Sequence, residues 1–196
     1  MATDWRGSIS PELLKWAPPP RKVRYARVGK AGPFELPRTI VEEDWGEPVV
    51  RPEGVCFRRV TREVSASARV LEDACVRYGP DGLVDVGTWS SDGDLLMWAP
   101  AQCVLPIHPA VGNEWSATHR RADTESQRHV CIQACEQHEA CLISVAEIRR
   151  EDGSMVMRMH FGEGDGYAGY EVLIQREGEP SMRLWTEAFT VEVRSE

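Results

Sequence analysis

The chain has 196 residues, a formal net charge of -8, a pI near 5.2 and a hydrophobic fraction of 42%. That length suits one domain, or one domain with an appendage, and leaves enough apolar material for a core. The acidic balance argues against a nucleic-acid or anionic-membrane partner, and no run approaches the roughly 18 apolar residues of a membrane helix.

Residues 1–54 read as an extended N-terminal arm with one short helix. Met1 to Arg6 shows no apolar stretch behind a basic start, so no secretory signal is visible and a cytoplasmic location is expected. Ser10 can cap a helix that opens at Pro11, runs through Leu13-Leu14-Lys15-Trp16 and ends before Pro18. Eight prolines (Pro11, Pro18, Pro19, Pro20, Pro33, Pro37, Pro48, Pro52) argue against a long central strand here. The arm also carries Trp5, Trp16, Tyr25, Phe34 and Trp45, more aromatics than a disordered tail holds. These five are the expected partner-binding residues, since large aromatics serve as buried anchors.

Residues 55–196 read as an antiparallel β domain. Asp-Gly and related turn signals recur at Gly79 to Gly82, Ser91 to Asp94, Glu151 to Ser154, Gly162 to Gly166 and Glu177 to Pro180. They separate short runs rich in Val, Ile, Met, Trp and Tyr, which is the pattern of consecutive hairpins. About ten strands are expected by alternation: Val55–Ser65, Ala68–Tyr78, Leu83–Trp89, Asp94–Trp98, Val111–Arg121, Arg128–Cys135, Cys141–Arg149, Met155–Phe161, Tyr170–Arg176 and Ser181–Val193. Pro100–Pro109 reads as a connector. The fold class is all-β: a sandwich, a barrel or a strongly curved sheet.

Leu105-Pro106, Val111-Gly112 and Trp115 form a strand opening that resembles one in uncharacterised bacterial β-rich, lipoprotein-like proteins. Cys141 and the turn from Gly162 to Gly169 fall in matching places. The resemblance implies a β-rich, non-catalytic domain; the chain departs from it in its arm and in lacking a lipoprotein signal.

The densest cluster of candidate ligands is Cys131, Cys135, His138 and Cys141. Cysteine and histidine are the usual zinc ligands. On one strand, however, Cys131 and Cys135 would sit about 13 Å apart. Free thiols and no stoichiometric zinc are therefore expected, with a Cys135–Cys141 hairpin disulfide as the alternative. The glycine loop from Phe161 to Tyr170 lacks the lysine and helix of a phosphate loop and offers only Glu163 and Asp165 to Ca²⁺. It reads as a wide hairpin loop with its tyrosines packed back. His119 and His160 could face a barrel interior with Glu147 or Glu171, but no catalytic motif is present. Trp89, Trp98, Trp115 and Trp185 fall in strands, as core or as pocket lining.

The expected function is a non-enzymatic interaction or structural subunit of a larger bacterial assembly, docked through its arm and without a cofactor. The partner is another protein or a second copy of the chain. Deleting residues 1–50 should then leave a folded domain. The alternative is a small-molecule-binding β-barrel, extending to an enzyme of the cyclase or isomerase kind.

Overall fold

The computed structural model describes residues 5–65, 67–136 and 141–194. A single 3₁₀ turn (Arg6–Ser8) and α1 (Pro11–Trp16) precede β1 (Pro20–Ala31), β2 (Phe34–Trp45), β3 (Val49–Arg51), β4 (Gly54–Glu63), β5 (Val70–Gly79) and β6 (Gly82–Trp89). There follow β7 (Leu95–Leu105), β8 (Glu114–Arg121), β9 (Thr124–Ala134), β10 (Cys141–Arg150), β11 (Gly153–Gly162), β12 (Gly166–Arg176) and β13 (Met182–Val193). From β4 to β13 each strand pairs antiparallel with the next. β13 then pairs with β1, β1 with β2, and β2 with β4. Twelve strands thus close an antiparallel barrel, and β3 is a short extension on β4. Closure removes the open edges that an antiparallel sheet would otherwise expose.

The hairpin turns fall where the Asp-Gly signals predict them. Gly82 and Gly153 sit at φ +113° and +149°, and a Cβ on either would come within 2.2 Å of a neighbouring carbonyl oxygen. Only glycine allows that approach.

The pairing corrects the expectation of an arm over residues 1–54. Residues 20–45 supply two full strands of the wall, and the strand count rises accordingly. The prolines mislead because each occupies a place that needs no ladder donor. Pro20 opens β1, Pro33 lies in the β1–β2 turn, and Pro37 lies where the β1–β2 register shifts. Pro100 behaves alike: β7 continues through the supposed connector as far as Leu105, where β7 and β8 share one paired position, Ala99 with Arg120. Side chains from β9 and β10 reach this part of β7 instead. Ser144 Oγ donates to the Val104 carbonyl at 2.7 Å, and Arg128 donates to Gln102 at 2.6 Å.

The predicted helix does form, and it plugs one end of the barrel. Ile9, Leu13 and Ala17 are buried there with Trp45, Phe57, Tyr78, Leu105, Ile132 and Phe161. The glycine-rich loop is the seat for this plug. The Gly164 N–H donates to the Lys15 carbonyl at 2.8 Å, and a Cβ on Gly166 would meet Pro18 Cδ at 2.9 Å. Behind the loop, Tyr167 packs back against Phe161, as expected. Arg194, just beyond β13, ties the same end together by donating to the carbonyls of Pro20, Trp45 and Gly46 while lying over the Phe57 ring.

Candidate functional site

Above the plug the barrel is hollow. A cavity of about 730 Å³ runs from Ala17 and Pro18 to strand ends at the opposite rim, at Val70, Thr88, Arg121 and Arg150. Its apolar lining includes Leu71, Ile148, Met155, Met157 and Met159. Its aromatic lining includes Tyr25, Trp45, Trp89, Trp98, Tyr167 and Tyr170. Charged side chains project among them, which a simple packed core would not tolerate unless paired.

Inner-face alternation explains how each charge gets there. Arg59 follows Val55 and Phe57 on β4, Glu43 lies between Val41 and Trp45 on β2, Asp85 follows Leu83 on β6, and Arg128 precedes Val130 and Ile132 on β9. Arg59 donates to Glu72 at 2.6 Å. Burial alone would lower the Arg59 pKa, but Glu72, Glu43 and Asp85 together raise it, so it stays charged. Glu43 accepts from the Tyr25 hydroxyl at 3.2 Å, and burial pushes its carboxyl above the usual range. Burial likewise pushes Asp85 up to about 6, against the pull of Arg59 and Arg128. At the rim, Arg121 donates to Thr88 at 2.6 Å and stacks over Trp98 at 4.3 Å.

Two features of the wall set its preference. The lining holds five arginines (Arg27, Arg59, Arg121, Arg128, Arg150) against four carboxylates (Glu43, Glu72, Asp73, Asp85), and Glu43 and Asp85 resist ionisation. Among buried wall atoms without a hydrogen-bond partner are four donors, Trp45 Nε1, Arg59 Nε, Trp89 Nε1 and Arg128 Nε, and one acceptor, Asp85 Oδ1. The wall is therefore rich in donors and in positive charge.

The five aromatics expected on a docking arm separate. Tyr25 and Trp45 are buried and line the cavity. Trp5 packs edge-on to Phe57 at 5.7 Å, and Trp16 is half-buried against the plug cluster. Phe34, at the β1–β2 turn, is 73% exposed. Among the described residues no histidine lines the cavity. His119 is buried on the inner face of β8, with its Nδ1–H donating to the Pro100 carbonyl at 2.8 Å. His160 lies on β11 beside a smaller hollow of about 330 Å³ lined also by Glu171, Arg183 and Trp185. Glu171 is bound there by Arg183 at 2.8 Å, and Glu147 is exposed. Trp89 and Trp98 line the cavity, Trp115 joins the packed clusters, and Trp185 lies outside.

All six cysteines are free thiols. Burial pushes Cys75 and Cys103 up to about 11. Of the four candidate ligands Cys131, Cys135, His138 and Cys141, Cys135 and Cys141 come together. Cys131 instead accepts from the Gln133 amide at 3.4 Å, and His138 lies outside the described residues. His160 takes the third place: one donor atom each from Cys135, Cys141 and His160 lie within 4.8 Å of one another.

The interior charges escaped the sequence reading, although a signal existed. Arg59, Asp85 and Arg128 each stand in phase with apolar inner-facing neighbours, where a strand that faces a solid core carries no charge.

No family model matches this chain, and no curated protein matches it in sequence. Two solved structures are similar in shape. Rv2717c from M. tuberculosis is 11% identical with a TM-score of 0.44, covering 92% of this chain and 99% of that one. A chain described as "a putative lipoprotein from Parabacteroides distasonis" is 7% identical with a TM-score of 0.41, covering 87% and 97%. Neither match assigns a function.

Proposed function

We propose that the barrel binds one small amphipathic molecule inside it, with an acceptor-bearing or anionic head group held by the arginine-rich wall. The observation that carries this reading is the cavity of about 730 Å³, a size in the range of ligand pockets, lined by mixed apolar and charged side chains. Arg59, Arg121 and Arg128 would receive the head group, while Met155, Met157, Met159 and Leu71 would cover the apolar part. The methionines suit this role because their unbranched side chains adapt to irregular shapes. With the plug sealing one end, a ligand would enter past Thr88, Trp89 and Arg121 at the other.

An interaction subunit docking through residues 1–54 has less support. Its strands belong to the wall, and of its five aromatics Phe34 alone is largely exposed. We therefore place the binding function inside the barrel.

Anilinonaphthalene sulfonate, an anionic amphiphile, is a suitable probe because its emission rises in apolar surroundings. The folded protein should bind it saturably, one per chain. Met157→Trp, which fills the lumen, should abolish binding without loss of β structure. Weak unsaturable binding, or binding indifferent to Met157→Trp, would count against an internal site.

A further inference from the structure

We propose that Cys135, Cys141 and His160 form a zinc site on the outer wall of the barrel, at its plugged end.

The β-sheet register builds the site. On β9 and β10 the ladder runs through Ala134 opposite Leu142, and the Cys135 N–H continues it by donating to the Cys141 carbonyl at 3.3 Å. Cys135 and Cys141 are therefore cross-strand neighbours on one face. On the other side, Cys141 pairs with Gly162 and Ile143 with His160. His160 is thus the diagonal neighbour of Cys141 on that same face. The intervening pair, Leu142 and Phe161, is buried inside, so the face carrying the three ligands is the outer one. Gly162 has no side chain to fill the space opposite Cys141. The result is one ligand from each of three adjacent strand positions, all half-buried and within reach of solvent.

The donor set selects the metal. Two sulfurs and one imidazole nitrogen suit zinc and not the hard cations that need oxygen. Around tetrahedral zinc, donor atoms at bond lengths of about 2.3 Å and 2.0 Å stand roughly 3.5–3.8 Å apart. The three atoms already lie within 4.8 Å, so small side-chain rotations close the site. The fourth position falls to water. The proposal departs from the sequence expectation of no stoichiometric zinc, and its ligands differ from the candidate set there, because the barrel brings His160, distant in sequence, beside Cys135 and Cys141.

The test uses the full chain, reduced, stripped with chelator and titrated with zinc against a chromophoric chelator. One zinc per chain is expected. Cys135→Ser, Cys141→Ser and His160→Ala should each weaken binding at least about tenfold, the lower range seen even for outer-shell partners. Cys131→Ser should bind as wild type. Cobalt(II) in place of zinc should give tetrahedral visible bands and thiolate charge transfer. A second measurement on the unaltered chain covers variants that fail to fold: zinc should protect Cys135 and Cys141, but not Cys131, from alkylation. Failure of the reduced protein to take up zinc would overturn the proposal. So would loss of binding in Cys131→Ser with His160→Ala unaffected.

Discussion

Replacing Asp85 by asparagine should stabilise the ligand-free barrel at neutral and alkaline pH, and the gain should vanish in acid. Burial raises the carboxyl from its ordinary 3.8 to about 6 in the folded chain, despite Arg59 and Arg128 nearby. The folded state therefore holds the proton more tightly than the unfolded state. The stability that this provides is fully present below about pH 3.8 and is lost as the pH rises through about 6. At about 1.4 kcal/mol per pH unit, the rise from 3.8 to about 6 sets a ceiling of roughly 3 kcal/mol. Asp85 faces a cavity large enough to admit water, which screens it, so about 1–2 kcal/mol is the expected effect. Asparagine keeps the shape of the neutral acid and removes the penalty of ionising it. Urea unfolding of both proteins from about pH 4 to about pH 8 should show the two stability curves close together near pH 4, separating as the pH rises to about 6, and parallel above it. A difference that does not change with pH, or a variant less stable at pH 8 than at pH 4 relative to wild type, would refute the placement of Asp85 against the cavity.

Other consequences follow from the same geometry. Leu13→Ala should cost about 2–5 kcal/mol in chemical unfolding, because Leu13 is fully buried in the plug. Gly166→Val should lower the melting temperature, since its Cβ meets Pro18 and its φ is +78°; intrinsic tryptophan emission should shift red as the plug loosens. Glu72→Ala leaves the Arg59 guanidinium without its 2.6 Å partner inside the wall and should cost about 1–3 kcal/mol, with no comparable loss for the exposed pair partner Glu125→Ala. Deleting residues 1–50 removes all of β1 and β2, the two strands that join β13 to β4, so the remainder should lack cooperative unfolding; a cooperative truncated domain would contradict the barrel closure.

The strands and turns after residue 54 were legible because period-two alternation and Asp-Gly turns are local signals. The closure was not. That β1 returns to β13, and β2 to β4, depends on pairings far apart in sequence, and the prolines between residues 18 and 52 imitate an irregular arm while sitting at starts, turns and a register shift. The short helix was visible from Ser10 and Pro11, but its role as a plug depends on Leu13 joining a cluster of buried residues from eight strands. The cavity charges were partly legible. Arg59 stands two residues after Phe57 and was readable as inward once its strand was placed, but its partner Glu72 arrives from the next strand through register alone. The metal-ligand triad shows the same limit: Cys135 and Cys141 advertised themselves, and His160 entered only through the pairing of Ile143 with it.

Occupancy of the barrel interior is tested most directly by titrating the purified chain with anilinonaphthalene sulfonate, read alongside quenching of its own tryptophan emission. Trp45, Trp89 and Trp98 line the cavity, so a ligand inside should quench them by energy transfer with the same saturation curve that the probe's emission follows, at one probe per chain. Met157→Trp, folded by circular dichroism, should show neither response. Probe emission that rises without saturating, or that persists unchanged in Met157→Trp, would show that the probe reads the outer surface and that the barrel interior is not a binding site.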